Sequence, residues 1–209
     1  MAVPDSLPQR VFLLAYNPDK GKVRAGSNLG AVLRAAALAD LYLSGHLTDE
    51  RGRAAIGVRH PCHDPVLDAL LEEIAGSRPH KWHSWVSRRQ RAAVRAVRQQ
   101  LGDGGWVRLE PSRILGLFPT TKVTIRDPRV RKRLLGRVNG ALRKPIGEID
   151  PADAALVAIV TAACLKHVVD RKTRRANKRR IQELTKLSGP IGPALHKSIQ
   201  YAALGGEAG

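Results

Sequence analysis

DAALVAIVTAACLKHVV, residues Asp153 to Val169, is the stretch whose reading decides the fold. From Ala154 to Leu165 it carries no charge and a single hydroxyl, Thr161. A helix apolar on nearly every side is buried in a core or in a membrane. Crossing a bilayer takes about 20 apolar residues, and this run stops at Lys166 and His167. Ahead of it, Asp150 and Pro151 supply a capping side chain and a first-turn proline. The stretch is therefore expected as the central helix of a globular domain, with the amphipathic segments around it as its coat.

Working outward, the 209 residues suit one large domain or two small ones, and 43% hydrophobic residues suffice for a core. The two cysteines, Cys62 and Cys164, do not make a disulfide framework. Cys164 falls inside the expected central helix, where a buried thiol is the ordinary reading, and a reducing compartment follows. Neither a signal peptide nor a transmembrane helix is legible, so a soluble or peripherally attached protein is expected. Charge is the strongest compositional feature. Lys and Arg number 36 and Asp and Glu 18, a net charge of +18 with pI near 11.0. Such an excess points to a polyanionic partner: nucleic acid, an anionic membrane surface or a phosphorylated ligand.

Along the chain, Leu7 to Tyr16 reads as a first helix and Leu29 to Ser44 as a second, stopped by Gly45. His46 to Val58 reads as a short extended pair around Arg51-Gly52. Helices are expected over Pro65 to Ala75 and Ser84 to Leu101. Trp106 to Leu109 and Ile114 to Phe118 read as the two strands of a hairpin. Further helices are expected from Pro128 to about Leu142, over Arg171 to Leu187, and from Ala194 to about Leu204. The expected class is mainly all-α: a compact helical domain around the central helix, with a small β-hairpin. Residues 1–8 are expected as a flexible lead, 9–204 as one helical domain and 205–209 as a loose tail.

Two groups of residues suggest an anion site. Arg88, Arg91, Arg95 and Arg98 recur at spacings of three, four and three, sharing roughly 80° of a helical face. That row is either a solvated basic face or a cradle for phosphate oxygens, which guanidinium forks match. Arg34 is the lone charge from Ala25 to Ala39. It either snorkels at the rim of its helix or lines a pocket, since burial without a partner is costly. The loop Arg24 to Asn28 precedes that helix and could hold an anion on free N–H groups. Leu115, Leu117 and Phe118 are either buried strand residues or an exposed apolar edge that meets a membrane or another subunit. His60, Cys62, His63, His80 and His83 lack any metal-ligand spacing, so no metal is expected. No catalytic motif stands out, the few acidic residues being read as helix starts or exposed faces.

The order of segments resembles the Golgi phosphoprotein family of phosphatidylinositol 4-phosphate effectors, in a bacterial-type form. The pieces are VFLLAYNPDKGKV, AVLRAAALADLYLSGHL, LGLFPTTKVTIRDPRVRKRLLGRV, DPADAALVAIVTAACLKHVV and RRANKRRIQEL, spanning about Leu7 to Leu187. The resemblance implies a compact helical domain, a hairpin that contacts membranes or another subunit, and a basic face that binds the lipid headgroup. It assigns headgroup binding to Arg34 and to the region of Arg91 and Arg95, with Arg88 beside them. The family's headgroup-stacking tryptophan would fall near Ala25, where no aromatic stands. Either Arg24 or the loop backbone takes its place, or the ligand is a different anionic lipid.

The resulting expectation is a non-enzymatic, cofactor-free protein, cytoplasmic and peripherally membrane-associated, that binds anionic phospholipid headgroups, phosphatidylinositol 4-phosphate among them. It would act as a membrane adaptor, with a homo-oligomer through the hairpin and a membrane-enzyme client as partners. The alternative is a basic nucleic-acid-binding protein, although the chain shows no nucleic-acid module and few aromatics to stack bases.

Overall fold

A computed structural model describes residues 2–23, 28–114 and 118–205. Among them are ten α-helices and three antiparallel strand pairs, a mainly helical fold with small β elements. The central helix, α7 (Pro151–Ala162), starts where Asp150 accepts the Ala152 N–H at 2.8 Å. Ala154 to Thr161 are all buried. Around it pack α1 (Leu7–Ala15), α2 (Leu29–Leu43), α6 (Pro128–Arg143), α9 (Lys178–Leu187) and α10 (Ile191–Gly205). α2 is the second buried rod, packed also against α3 (Pro65–Ala75), α4 (Trp82–Ser87) and α5 (Gln90–Asp103). A helix can be apolar all round only when partners surround it, and α2 and α7, packed on each other, share α1 and α10.

The strand pairs are peripheral. β1 (Tyr16–Asn17) pairs with β2 (Lys22–Val23). β3 (Leu47–Glu50) and β4 (Arg53–Ile56) close through Arg51-Gly52, both at positive φ (53° and 78°), the backbone of a two-residue turn whose twist matches the strands. β5 (Val107–Ile114) and β6 (Phe118–Ile125) form the long hairpin, in register from Val107↔Ile125 to Ile114↔Phe118. Of the segment Ile114 to Phe118, expected as the second strand, Ile114 ends β5 and Phe118 opens β6, each strand being eight residues long. Of the apolar hairpin residues, Phe118 opens β6, whereas Leu115 and Leu117 lie outside the described residues.

Two expected helices are each broken in two. Ser84 to Leu101 is interrupted at Arg88-Arg89, where Arg89 takes φ 45° and α4 turns into α5. Arg171 to Leu187 is split at Asn177 into α8 (Arg171–Ala176) and α9. Neither break carries a glycine or proline, the usual markers. α7 is also shorter than expected. Leu165 N–H donates to the Val160 carbonyl at 3.0 Å and Cys164 N–H to that of Thr161 at 3.2 Å. This double closure, with the residue after the cap left-handed, ends the helix and satisfies its last carbonyls. The left-handed residue is Cys164, at φ 52°, and its side chain is exposed rather than buried.

Glycine is the ordinary occupant of that position, because a Cβ there meets the carbonyl oxygen that follows. Cys164→Gly is expected to stabilise the fold by about 1 kcal/mol, roughly 2–4 °C in Tm for a chain of this size. A thermal melt checks it, and a lower Tm would mean that the thiol contributes more than the strain costs.

Distant side chains complete several helix ends. Ser6 makes no capping bond to α1, and Asp40 of α2 accepts the Leu7 N–H at 2.7 Å instead. Arg180 of α9 donates to the Ala141 carbonyl at 3.0 Å and to that of Lys144, closing the end of α6. Arg131 donates to the Tyr16 carbonyl at 2.9 Å. A share of the positive charge is thus committed to backbone carbonyls.

Candidate anion-binding site

α2 and α5 run side by side with their N-termini at the same end. Gly30 meets Gln90, where a Cβ would stand 2.7 Å from the Gln90 carbonyl oxygen. Glycine at that point lets the two first turns touch. Neither Asn28 nor Arg89, the residues before the two helices, caps with its side chain. Two sets of first-turn N–H groups, each with partial positive charge, therefore converge.

One turn further in, the helices part around a cavity of about 140 Å³. Leu33, Arg34 and Ala37 of α2 face Arg89, Ala92, Ala93 and Ala96 at the α5 side, and Pro65 to Glu73 of α3 form the third wall. The cavity exists because the facing positions carry alanine.

Arg34 is the polar element of this wall and is 5% exposed. Its Nε donates to the Trp85 carbonyl at 3.1 Å and its Nη1 to Glu73 Oε2 at 3.0 Å. Nη2 has no hydrogen-bond partner. Burial lowers the Arg34 pKa, and Glu73 works in the opposite direction. Arg89, largely exposed, approaches the other oxygen of Glu73 at 3.8 Å. Of the two readings of Arg34, the pocket-lining one is what the structure shows. Its counter-ion is a partly buried carboxylate late in α3, one of the few acids away from the helix starts and exposed faces where most were expected.

The expected arginines separate into three groups. Arg34 lines the cavity with Arg89, a residue that sequence reading did not single out. Arg88 sits in the bend between α4 and α5. Its guanidinium carbon lies 4.7 Å from the centre of the Trp85 ring, and its Nη2 is 3.0 Å from His80 Nε2. Arg91 and Arg95 are exposed and are not among the cavity residues. At about 100° per residue they lie roughly 150° and 110° round α5 from the middle of the wall at Arg89, Ala92, Ala93 and Ala96. Convergence of Arg34, Arg91 and Arg95 on one pocket is therefore not the arrangement found. Arg91 and Arg95 share a face of α5 other than its alanine wall, and the break at Arg89 takes Arg88 off their row. Arg24 lies outside the described residues.

Glu73 could have been reached from sequence. A lone arginine in an apolar helix needs a nearby carboxylate, and α3 offers Asp68, Glu72 and Glu73 among apolar residues. The bend at Arg89 left no such sign.

Among curated proteins, no match to the chain was found. A family model, Golgi phosphoprotein 3 (GPP34), matches residues 7–202, from the start of α1 into α10. The chain belongs to the Golgi phosphoprotein 3 (GPP34) family.

Proposed function

We propose that this protein is a non-catalytic peripheral membrane protein that binds anionic phospholipid headgroups, phosphatidylinositol 4-phosphate first among them, at the α2–α5 cavity. The observation that carries this reading is the buried Arg34 guanidinium, whose unpartnered Nη2 belongs to a residue lining a cavity with a second arginine at its wall. A buried donor without a partner costs free energy that an acceptor would recover. A phosphate group offers several acceptors and up to two charges. Arg34 and Arg89 would hold the phosphate, with the paired helix N-termini adding to the field. Arg88, Arg91 and Arg95, outside the cavity, would meet the acidic surface around it. Among the described residues no helix is long and apolar enough to cross a membrane. The hairpin, with Phe118 at the start of β6 and Leu115 and Leu117 just before it in sequence, would contribute to membrane contact or self-association, and a membrane enzyme would be the client of such an adaptor.

Charge-assisted hydrogen bonds contribute about 1.5–3 kcal/mol each, roughly ten-fold or more in affinity. General attraction of a basic residue to an acidic membrane is about 1 kcal/mol, whichever residue is changed. Binding is measured on vesicles with and without phosphatidylinositol 4-phosphate at constant total charge. Arg89→Gln is expected to remove most of the phosphoinositide-dependent increment. Arg91→Gln and Arg95→Gln are expected to weaken binding to both vesicle types alike. Arg175→Gln and Lys178→Gln, of equal charge on the far basic helices, should leave the increment intact. Equal loss across all five variants would reduce the interaction to nonspecific electrostatics and overturn the headgroup site. Tighter binding to single-stranded RNA than to either vesicle would favour the nucleic-acid reading.

A further inference from the structure

The turn between α7 and α8 encloses a separate cavity of about 180 Å³, walled by Thr161, Cys164, Lys166, Val169, Arg171 and Arg174. Three cations face it and no carboxylate does. Each of the three is exposed at its outer side, and none is in an ion pair among the described residues. The neighbouring acid, Asp170, is committed elsewhere: its carboxylate accepts the Thr173 N–H at 2.6 Å and caps α8. Thr161 turns its hydroxyl back to the Val157 and Ala158 carbonyls, at 2.7 and 3.1 Å.

Arg174 is held in place by a thiol. Its Nη1 donates to Cys164 Sγ at 3.0 Å. A thiol is a weak acceptor that does not neutralise the guanidinium, so the cation is oriented without being compensated. The left-handed backbone at Cys164 is what puts the thiol at this wall. Like charges gathered round one cavity repel, and an anion between them converts that repulsion into attraction. A water takes up about 30 Å³ of liquid, so the space suits a group of several heavy atoms rather than a single halide.

We infer that Lys166, Arg171 and Arg174 form a second anion site for a phosphate monoester, either a free phosphorylated small molecule or a lipid headgroup, at the α7–α8 turn. It lies on the α7 side of the fold, whereas the α2–α5 cavity is walled by α2, α3 and α5. It therefore does not depend on the function proposed above. Two arginine forks and a lysine point charge around one cavity are the donor set that phosphate oxygens take.

Cys164 gives this site a readout that the first site does not share. The other thiol, Cys62, is pushed up to about 12, chiefly by burial and then by Asp68, and reacts slowly at neutral pH. Alkylation of the whole 209-residue chain by iodoacetamide, followed at the Cys164 peptide by mass spectrometry, therefore reports on the α7–α8 turn. Inorganic phosphate is titrated at constant ionic strength against chloride. In a parallel arm, vesicles containing phosphatidylinositol 4-phosphate are compared with vesicles of phosphatidylcholine. Saturable protection is expected, with alkylation slowed roughly ten-fold at about ten times the dissociation constant. Protection by free phosphate identifies a soluble ligand, and protection by phosphoinositide vesicles alone identifies the headgroup as the source.

Lys166→Gln with Arg171→Gln should abolish protection, while Arg78→Gln, at an exposed arginine outside both cavities, should leave it unchanged. Both positions are exposed, and circular dichroism checks that the double variant is folded. Arg171→Lys, which keeps the charge and loses the fork, serves as a second variant with partial protection. Equal rates in phosphate and chloride together with equal rates on the two vesicle types, or protection untouched by the double variant, would overturn the site.

Discussion

Val157→Asp is expected to leave no cooperatively folding protein. Val157 is fully buried in α7, between Leu156 and Ala158, in a helix whose neighbours are α1, α2, α6, α9 and α10. None of the residues from Ala154 to Val160 on this helix is polar. A carboxylate there would be charged without a partner or protonated with its hydrogen bonds unmade, a cost of several kcal/mol in either state. Domains of this kind are stable by only about 5–15 kcal/mol, and effects above about 4–5 kcal/mol arise from such unpaired buried groups. Ile159→Val, one methylene smaller at another fully buried position, should cost only about 0.5–1.5 kcal/mol and keep a sharp transition. Thermal melts followed by circular dichroism compare the two. A Val157→Asp protein that melts like the wild type would mean that this helix is not the centre of the core.

The legibility of α7 and the illegibility of its end have the same physical basis. Burial on all sides is written in composition, so eight consecutive buried positions could be read from an uncharged run. The closure at Cys164 depends on one residue accepting a left-handed backbone that its type does not advertise. The same holds for α4 and α5. Val86, Val97 and Leu101 are all buried and fit a single helical period across the bend, so the pattern survives while Arg89 reverses the chain's local hand. Turns marked by glycine were legible: Gly45, at φ 78°, stands where α2 ends, and Arg51-Gly52 joins β3 to β4.

Charge was the least specific signal. A count of +18 treats every arginine as available, yet Arg131 and Arg180 are engaged with backbone carbonyls and Arg34 with a carboxylate and a carbonyl. Long-range caps such as Asp40 on Leu7, 33 residues apart, leave no local pattern at all. What sequence did single out was the anomaly of Arg34, because a charge in an apolar helix violates a physical rule. The partner that resolves the anomaly sits on another helix, and only the fold brings the two to 3.0 Å.

Glu73→Gln should separate the stability of this buried pair from its binding role. The variant keeps the shape of the side chain and removes its charge. Arg34 then keeps the Trp85 carbonyl but loses its ionic partner while remaining buried. Removing one member of a buried pair costs about 3–5 kcal/mol. At roughly 2–4 °C per kcal/mol for a chain of this size, Tm should fall by about 6–20 °C. The same change leaves Arg34 and Arg89 facing the cavity uncompensated, so an anion no longer competes with a resident carboxylate. Phosphatidylinositol 4-phosphate vesicles should therefore raise the Tm of Glu73→Gln by more than they raise that of the wild type, through binding to the folded state alone. The double variant Arg34→Met with Glu73→Leu removes both charges and fills the space with apolar groups, a replacement that is often neutral or stabilising. It should fold at or above the wild-type Tm and lose the phosphoinositide-dependent increment. If Glu73→Gln melted with the wild type, the pair would be too hydrated to matter. If the double variant bound phosphoinositide vesicles as the wild type does, Arg34 would have no part in the site, and the headgroup would have to rest on the exposed arginines of α5.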